Sequence, residues 1–141
     1  MERYEILIAV TISWFLSQLI KSLYALLKSG GLSFIKTLLR QGGLVSSHSA
    51  VVSSLGISCG LTCGFDSAEF AICFVVAVMT LLDAGGVRYT TGKMSRFLND
   101  TVSKEGINGE KFNENLGHTA PQIALGVLLG IVVSTVTHLC L

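Results

Sequence analysis

The stretch NLGHTAPQIALGVLLGIVVSTVTHLCL, residues Asn115–Leu141, contains no Asp, Glu, Lys or Arg. About 20 apolar residues in a helix are enough to cross the hydrocarbon core of a bilayer, so this window alone predicts a membrane-spanning helix. Half of all 141 residues are hydrophobic and only 13% are charged, whereas about 25% of residues are charged in soluble domains. This composition excludes a disordered tail, a basic nucleic-acid-binding domain and a disulfide-stapled secreted module.

Three further windows lack charged residues: Ile6–Ile20, Gln41–Phe65 and Phe70–Leu82. The first extends through Lys21 to about Leu27, because the long stem of a lysine can snorkel. The third spans only if Glu69 and Asp83 lie near the interfaces or face protein. The predicted fold is therefore all-α, an integral membrane bundle of about four transmembrane helices in a single domain over residues 1–141.

The cations are unevenly distributed among the loops of this predicted bundle. Eight of the ten fall in the first and third loops, at Lys28, Lys36, Arg40, Arg88, Lys93, Arg96, Lys104 and Lys111. By the positive-inside rule these loops are cytoplasmic and both termini are outside. Within the third loop, apolar residues recur at helical spacing from Arg88 to about Lys104, which predicts a short interfacial helix.

Rare polar side chains gather at the predicted cytoplasmic end. They are Lys21 near the end of the first helix, Ser46, Ser47 and His48 at the start of the second, Asp83 and Arg88 after the third, and His118 before the fourth. Polar residues are expensive in and beside spanning helices, and they are therefore candidates for function. We expect these side chains to form one site.

The chemistry that this set favours is the binding and transfer of a phosphate. Two helix N-termini would point at the site, where free N–H groups and the positive end of the dipole favour an anion. Lys21, Arg88 and Arg40 would hold phosphoryl oxygens. His48 and His118 offer a nucleophile and a general acid, because imidazole titrates near neutral pH. No metal or other cofactor is expected.

Small residues recur every four positions behind both of these histidines. The first row is His48, Val52, Gly56, Gly60 and Gly64, and the second is His118, Gln122, Gly126, Gly130 and Ser134. Rows of small residues let membrane helices approach closely. Packing of the two rows against each other would bring the imidazoles together, although the same rows also permit contacts between subunits of a homo-oligomer.

Several of these segments together resemble the divergent phosphatidic acid phosphatase type 2 family, also called acid phosphatase/vanadium-dependent haloperoxidase-related proteins. The matching segments are Gln18–Lys21, GGLVSSHSA at Gly42–Ala50, GFDS at Gly64–Ser67, DAGGVR at Asp83–Arg88 with Gly92 and Lys93, and LGHT from Leu116 with Gly126 and Gly130. The resemblance covers nearly the whole chain and implies a helical membrane phosphatase that acts on a phosphorylated lipid.

The resemblance also implies roles for individual residues. His118 matches the histidine that attacks phosphorus in the wider superfamily, His48 matches the general acid, and Lys21 and Arg88 match the cation cradle more loosely. Gln122 stands where the superfamily has a carboxylate that orients the nucleophile. Asp83 is a hypothetical source of that missing carboxylate.

Other interpretations of the same residues remain open. Ser46 or Ser47 serves as the N-cap of the second helix, Asp83 and Arg88 pair across a helix end, and His138 is an interfacial bystander. At the level of function, the alternatives to a phosphatase are a non-catalytic protein that binds anionic lipid headgroups or has a structural role, and a small-solute or lipid transporter. The sequence does not show the internal symmetry that many transporters have, which disfavours the transporter interpretation.

Overall fold

The described part of the chain is helical throughout its regular structure. The computed structural model describes residues 2–29, 44–107 and 109–141. They form the helices α1 (Glu2–Ser29), α2 (Ser47–Cys63), α3 (Ala68–Gly85), α4 (Val87–Lys104) and α5 (Ala120–Cys140). Three segments are long and apolar enough to cross a membrane, namely Tyr4–Leu27, Ala68–Lys104 and Ala120–Cys140. The prediction of an all-α membrane bundle is confirmed.

Serine hydroxyls set the starts of α2 and α3. Ser46 is the N-cap of α2 and accepts a hydrogen bond from the Ser49 N–H at 3.3 Å, and Ser67 caps α3 by accepting from the Phe70 N–H at 3.1 Å. Such caps satisfy backbone donors that have no partner within the helix. Gly86 alone separates α3 from α4, so the helix predicted in the third loop follows α3 directly.

The central helix of the bundle is α2, which packs against α1, α3 and α5. Its contact with α5 is the most extensive, because glycines in α5 bring the two backbones together. A side-chain carbon at Gly130 would lie 2.8 Å from the Ser54 nitrogen, closer than packing allows. One turn further on, the Ser134 hydroxyl bonds the carbonyl oxygen and the hydroxyl of Ser54 at 3.0 and 2.9 Å.

The predicted pairing of the two small-residue rows is wrong on the α2 side. The α5 row packs through Gly126 and Gly130 as expected, but it meets Ser46, Ala50 and Ser54 of α2. Rows of every fourth residue drift around a helix, since four residues exceed one turn of 3.6. The row that begins at Ser46 therefore faces α5, and His48 lies on another face.

Small polar residues, rather than large apolar ones, fill the interior of the bundle. Among the described residues, the largest of the fully buried side chains are all serines, namely Ser13, Ser17, Ser22, Ser46, Ser49, Ser54, Ser58 and Ser134. Large apolar side chains such as Leu7, Phe15, Ile72 and Leu128 are exposed on the outside. This distribution is expected in lipid, where helices associate through close packing of small residues and hydrogen bonds.

Candidate functional site

A cavity of about 370 Å³ opens at the end of the bundle where α2 and α5 begin. Six of the nine site residues predicted from the sequence line it: Lys21, Ser47, His48, Asp83, Arg88 and His118. They come from α1, α2, α3, α4 and the segment before α5, so the fold gathers them from across the chain. The expectation that these polar side chains form one cluster therefore agrees with the structure.

The other three predicted residues are not among the described residues that line the cavity. Ser46 is fully buried and caps α2, as in the simpler interpretation of that residue. The side chain of Gln122 accepts a hydrogen bond from the Thr119 N–H at 2.8 Å, in a capping box that begins α5. Arg40 lies outside the described residues.

Lys21 is the most deeply buried cation of the cavity, with 7% of its surface exposed. Its Nζ donates a hydrogen bond to the Ser47 hydroxyl. Within the described ranges, no carboxylate lies within ion-pairing distance of this ammonium group. A buried charge without a counter-charge is costly, so the cavity is electrostatically suited to an anion.

Arg88 and Asp83 form an ion pair at the rim of the cavity. Arg88 donates from Nε to Asp83 Oδ2 at 2.6 Å, and both side chains are partly exposed, at 51% and 40%. The pair spans the junction between α3 and α4, as one interpretation of the sequence expected. The two terminal guanidinium nitrogens make no hydrogen bond to the described part of the chain, and together they have the geometry for a bidentate contact with a phosphate.

His118 is held by the backbone around it. Its N–H donates to the carbonyl oxygen of Ala84 at 3.0 Å, which ties the residue to the end of α3. The preceding residue is Gly117, whose φ of +77° is a conformation that favours glycine. A side chain at Gly117 would also run into the backbone of Tyr89, so the neighbouring chain can approach only because Gly117 has no Cβ.

The segment that leads to His118 is anchored on α4 through Asn99. The Asn99 amide nitrogen donates to Phe112 O at 2.9 Å and to Glu114 Oε1 at 2.7 Å, while its oxygen accepts from the Phe112 N–H at 2.9 Å. The bond from Asn99 is the main reason that the pKa of Glu114 lies below its ordinary value. Asn99 thereby fixes the path of the chain four to six residues before the histidine.

Burial lowers the pKa of His118 below the usual value of 6.5, because it disfavours the charged imidazolium. The positive charge of Lys21 lowers this pKa further and a side-chain hydrogen bond with Gln122 raises it, while His48 and Arg88 have smaller lowering effects. His118 Nδ1 is buried and makes no hydrogen bond in the structure as described. At neutral pH the imidazole is uncharged, as a nucleophile must be.

Asp83 does not contact His118 in the way that a substitute carboxylate would. Its described hydrogen bond is to Arg88. Asp83 and His48 both line the cavity, but the described ion-pair partner of Asp83 is Arg88.

Sequence reasoning missed the residues that extend the cavity toward the middle of the bundle. They are Trp14, Gln18, Val51, Val52 and Thr80. Trp14 and Gln18 precede Lys21 by seven and three positions, which places them on the same face of a helix. That spacing was available in the sequence, but only the neighbouring helices show that this face lines a cavity.

The third histidine is remote from the cavity. His138 lies in the last turn of α5, and its Nδ1 is 2.6 Å from Glu5 Oε1 near the start of α1. This contact joins the first and last helices at the other end of the bundle. His138 therefore provides a matched control for substitutions at His48 and His118.

The cavity thus holds two imidazoles and two cations at one end of a helical membrane bundle. The profile of the Divergent PAP2 family matches residues 3–133. The chain belongs to the Divergent PAP2 family. Among curated proteins, this Divergent PAP2 chain is similar to the uncharacterized membrane protein YuiD of Bacillus subtilis (strain 168), with 34% identity over 110 residues, 67% of this chain and 70% of YuiD. No solved structure matches the chain.

Proposed function

We propose that this Divergent PAP2 protein is a membrane phosphohydrolase that cleaves a lipid phosphate monoester through a phosphohistidine on His118. The observation that carries the proposal is the convergence of Lys21, His48, Arg88 and His118 on one cavity, although up to 97 positions separate them in the chain. Membership of the family supports the same chemistry. A lipid is the favoured substrate because the cavity belongs to a membrane bundle.

The cation set supports binding of the phosphate. Lys21 lies inside the cavity without a carboxylate partner among the described residues, and Arg88 presents two free terminal nitrogens at its rim. The α2 dipole adds a positive end at Ser47. A phosphate dianion would offset these charges.

The proposed reaction has two displacement steps. In the first, His118 Nε2 attacks phosphorus, because Nδ1 is buried. The P–N bond forms as the P–O bond to the lipid breaks, and His48 gives its proton to the leaving alcohol oxygen. In the second, His48 takes a proton from water, the water oxygen attacks phosphorus, and the P–N bond breaks to release inorganic phosphate and neutral His118.

A second candidate function is the binding of anionic lipid headgroups without turnover. One observation favours it: the Gln122 side-chain oxygen is engaged by the Thr119 N–H in helix capping. A neutral amide also cannot compensate an imidazolium as a carboxylate does. The same cation set would then hold a headgroup whose ester bond stays intact.

Trapping of the intermediate separates the two functions. Purified protein in detergent is mixed with a ³²P-labelled lipid phosphate, denatured in alkali and examined for label that is stable to alkali and lost in acid, as expected of a phosphohistidine. We expect label on wild type, none on His118→Ala, and both slower appearance and slower loss of label on His48→Ala, because His48 serves both steps. His138→Ala serves as the control and should label like wild type.

Two results would decide against hydrolysis. One is the absence of both label and released phosphate over a panel of lipid phosphates. The other is phosphate release that His118→Ala leaves unchanged. Saturable binding of the same lipids with no release, weakened by Lys21→Ala, would instead establish the headgroup-binding function.

We further propose that the cavity faces the cytoplasm, with both termini outside. The cations of the third loop support this orientation by the positive-inside rule. The substrate would then be a lipid of the cytoplasmic leaflet.

A further inference from the structure

The cavity has a polar end and an apolar end. Its polar end carries Lys21, His48, Arg88 and His118, whereas Trp14, Val51 and Val52 line the part that lies deeper in the bundle. Thr80 also lines the deeper part, but its hydroxyl already bonds Val76 O at 2.8 Å within its own helix. Gln18 is the polar exception among the deeper lining residues, and its Oε1 accepts from the Ser47 hydroxyl at 3.5 Å. The deeper lining is therefore mostly apolar, whereas the outer part suits an anion.

Among the described residues, no contact between α1 and α3 closes the side of the cavity that lies between these two helices. Helix α2 packs against both α1 and α3. The lining residues of α1 and α3 therefore border a cleft whose floor is α2. We call this cleft, bordered by Trp14, Gln18, Val51, Val52 and Thr80, the lateral cleft.

The lateral cleft has a measurable depth along α1. Lys21 marks its polar end, and Trp14 is the lining residue of α1 furthest from it, seven positions away. At 1.5 Å per residue this separation is about 10 Å along the helix axis. Trp14 is 40% exposed and packs edge to face on Phe15, with ring centroids 4.9 Å apart.

We propose that the lateral cleft admits the hydrocarbon chain of the phosphorylated lipid from the bilayer and that Trp14, at its deep end, determines which chains fit. This inference rests on the proposed function, because it assumes that a phosphate occupies the polar end of the same cavity. The continuity of one cavity from the cation cluster to Trp14 identifies the occupant. A molecule with an anionic head and an apolar chain matches both ends.

The proposed role of the cleft is to let the lipid chain enter and to select its shape, rather than to increase the affinity for the lipid. A chain that moves from lipid into a protein cleft exchanges one apolar environment for another, so it gains little from the hydrophobic effect. A lateral opening instead lets the phosphate reach His118 while the chain stays at membrane depth. Steric obstruction of the cleft should therefore discriminate against lipid substrates relative to small soluble ones.

The first test compares two substrates on cleft variants. Val51→Trp fills the cleft, and Val132→Trp makes the same change on the exposed outer face of α5. We expect Val51→Trp to lower the ratio of long-chain lipid phosphate turnover to p-nitrophenyl phosphate turnover by about tenfold, which corresponds to a barrier about 1.4 kcal/mol higher for the lipid alone. Val132→Trp should leave the ratio unchanged. Trp14→Ala should shift the preference toward longer or bulkier chains.

The second test does not depend on turnover. A lipid phosphate with a photoreactive diazirine in its chain is crosslinked to wild-type protein in detergent, and the labelled peptides are mapped. We expect label near Trp14 and Thr80, reduced by Val51→Trp and retained in His118→Ala. Label spread over the outer faces of the helices, with no response to Val51→Trp, would overturn the lateral cleft. Crosslinking in the cleft without any phosphate release would instead refute only the hydrolysis.

Discussion

The backbone N–H of His118 donates a hydrogen bond to the carbonyl oxygen of Ala84, 3.0 Å away. Ala84 follows Asp83 and lies four residues before Arg88, so this bond places the imidazole beside the ion pair at the junction of α3 and α4. The position of the His118 imidazole is therefore set by this backbone hydrogen bond as well as by side-chain contacts.

The pH dependence of turnover should reflect the lowered pKa of His118. Attack requires the neutral imidazole, so activity rises with pH as His118 loses its proton. Because burial and the nearby cations place this pKa below 6.5, the acidic limb of kcat/KM should lie below pH 6.5. The measurement is a pH profile for a lipid phosphate, and an acidic limb above pH 7 would contradict the assignment.

Restoring a carboxylate beside the nucleophile should increase activity. Gln122→Glu keeps the capping box of α5, since Glu suits this position. A charged partner for the imidazolium contributes about 1.5–3 kcal/mol, which corresponds to roughly a 10- to 100-fold higher kcat. The acidic limb should also move to higher pH. Gln122→Leu, which removes the polar group, should lower kcat, and equal rates for the two variants would refute this role.

Asn99 should act as a positioning residue. Asn99→Ala removes the three hydrogen bonds that hold Phe112 and Glu114. We expect a lower kcat with little change in KM, because the phosphate-binding cations stay in place while His118 loses its support. Asp100→Ala, at the next and exposed position of α4, is the control. A rise in KM alone would assign Asn99 to binding instead.

The close approach of α2 and α5 should tolerate no added side chain. Gly126→Val introduces a side chain against the Ser49 Cβ and the backbone of α2, and such overpacking costs about 1–3 kcal/mol or more. Gly56→Val is the matched control, because a side-chain carbon there meets no atom within 4 Å. Thermal unfolding in detergent should show a lower Tm for Gly126→Val only.

The orientation of the protein in the membrane can be determined with reporter proteins fused to the C-terminus and after Lys104. If both termini are outside, a C-terminal fusion expressed in a bacterial inner membrane should be active as alkaline phosphatase and dark as green fluorescent protein. A fusion that ends after Lys104 should show the reverse pattern. A fluorescent C-terminal fusion would place the cavity on the outer face.

The sequence by itself determined the membrane class, the all-helical fold and six of the polar residues that line the cavity. Long windows without charge specify spanning helices because lipid offers no water to solvate a charge. Polar residues stand out against such windows, which is why Lys21, His48, Arg88 and His118 could be selected together. The periodicity of the apolar residues from Arg88 to about Lys104 also located α4 within one residue of its observed start at Val87.

Only the tertiary structure decided which faces meet. The row that packs on α5 begins at Ser46 rather than at His48, because a small rotation of α2 about its axis changes the facing row and local pattern does not fix that rotation. The partner of Asp83, the anchoring by Asn99 and the lateral cleft likewise depend on contacts between segments distant in the chain. Spacing along one helix shows which residues share a face, but the neighbours of that face are set by how all the helices pack together.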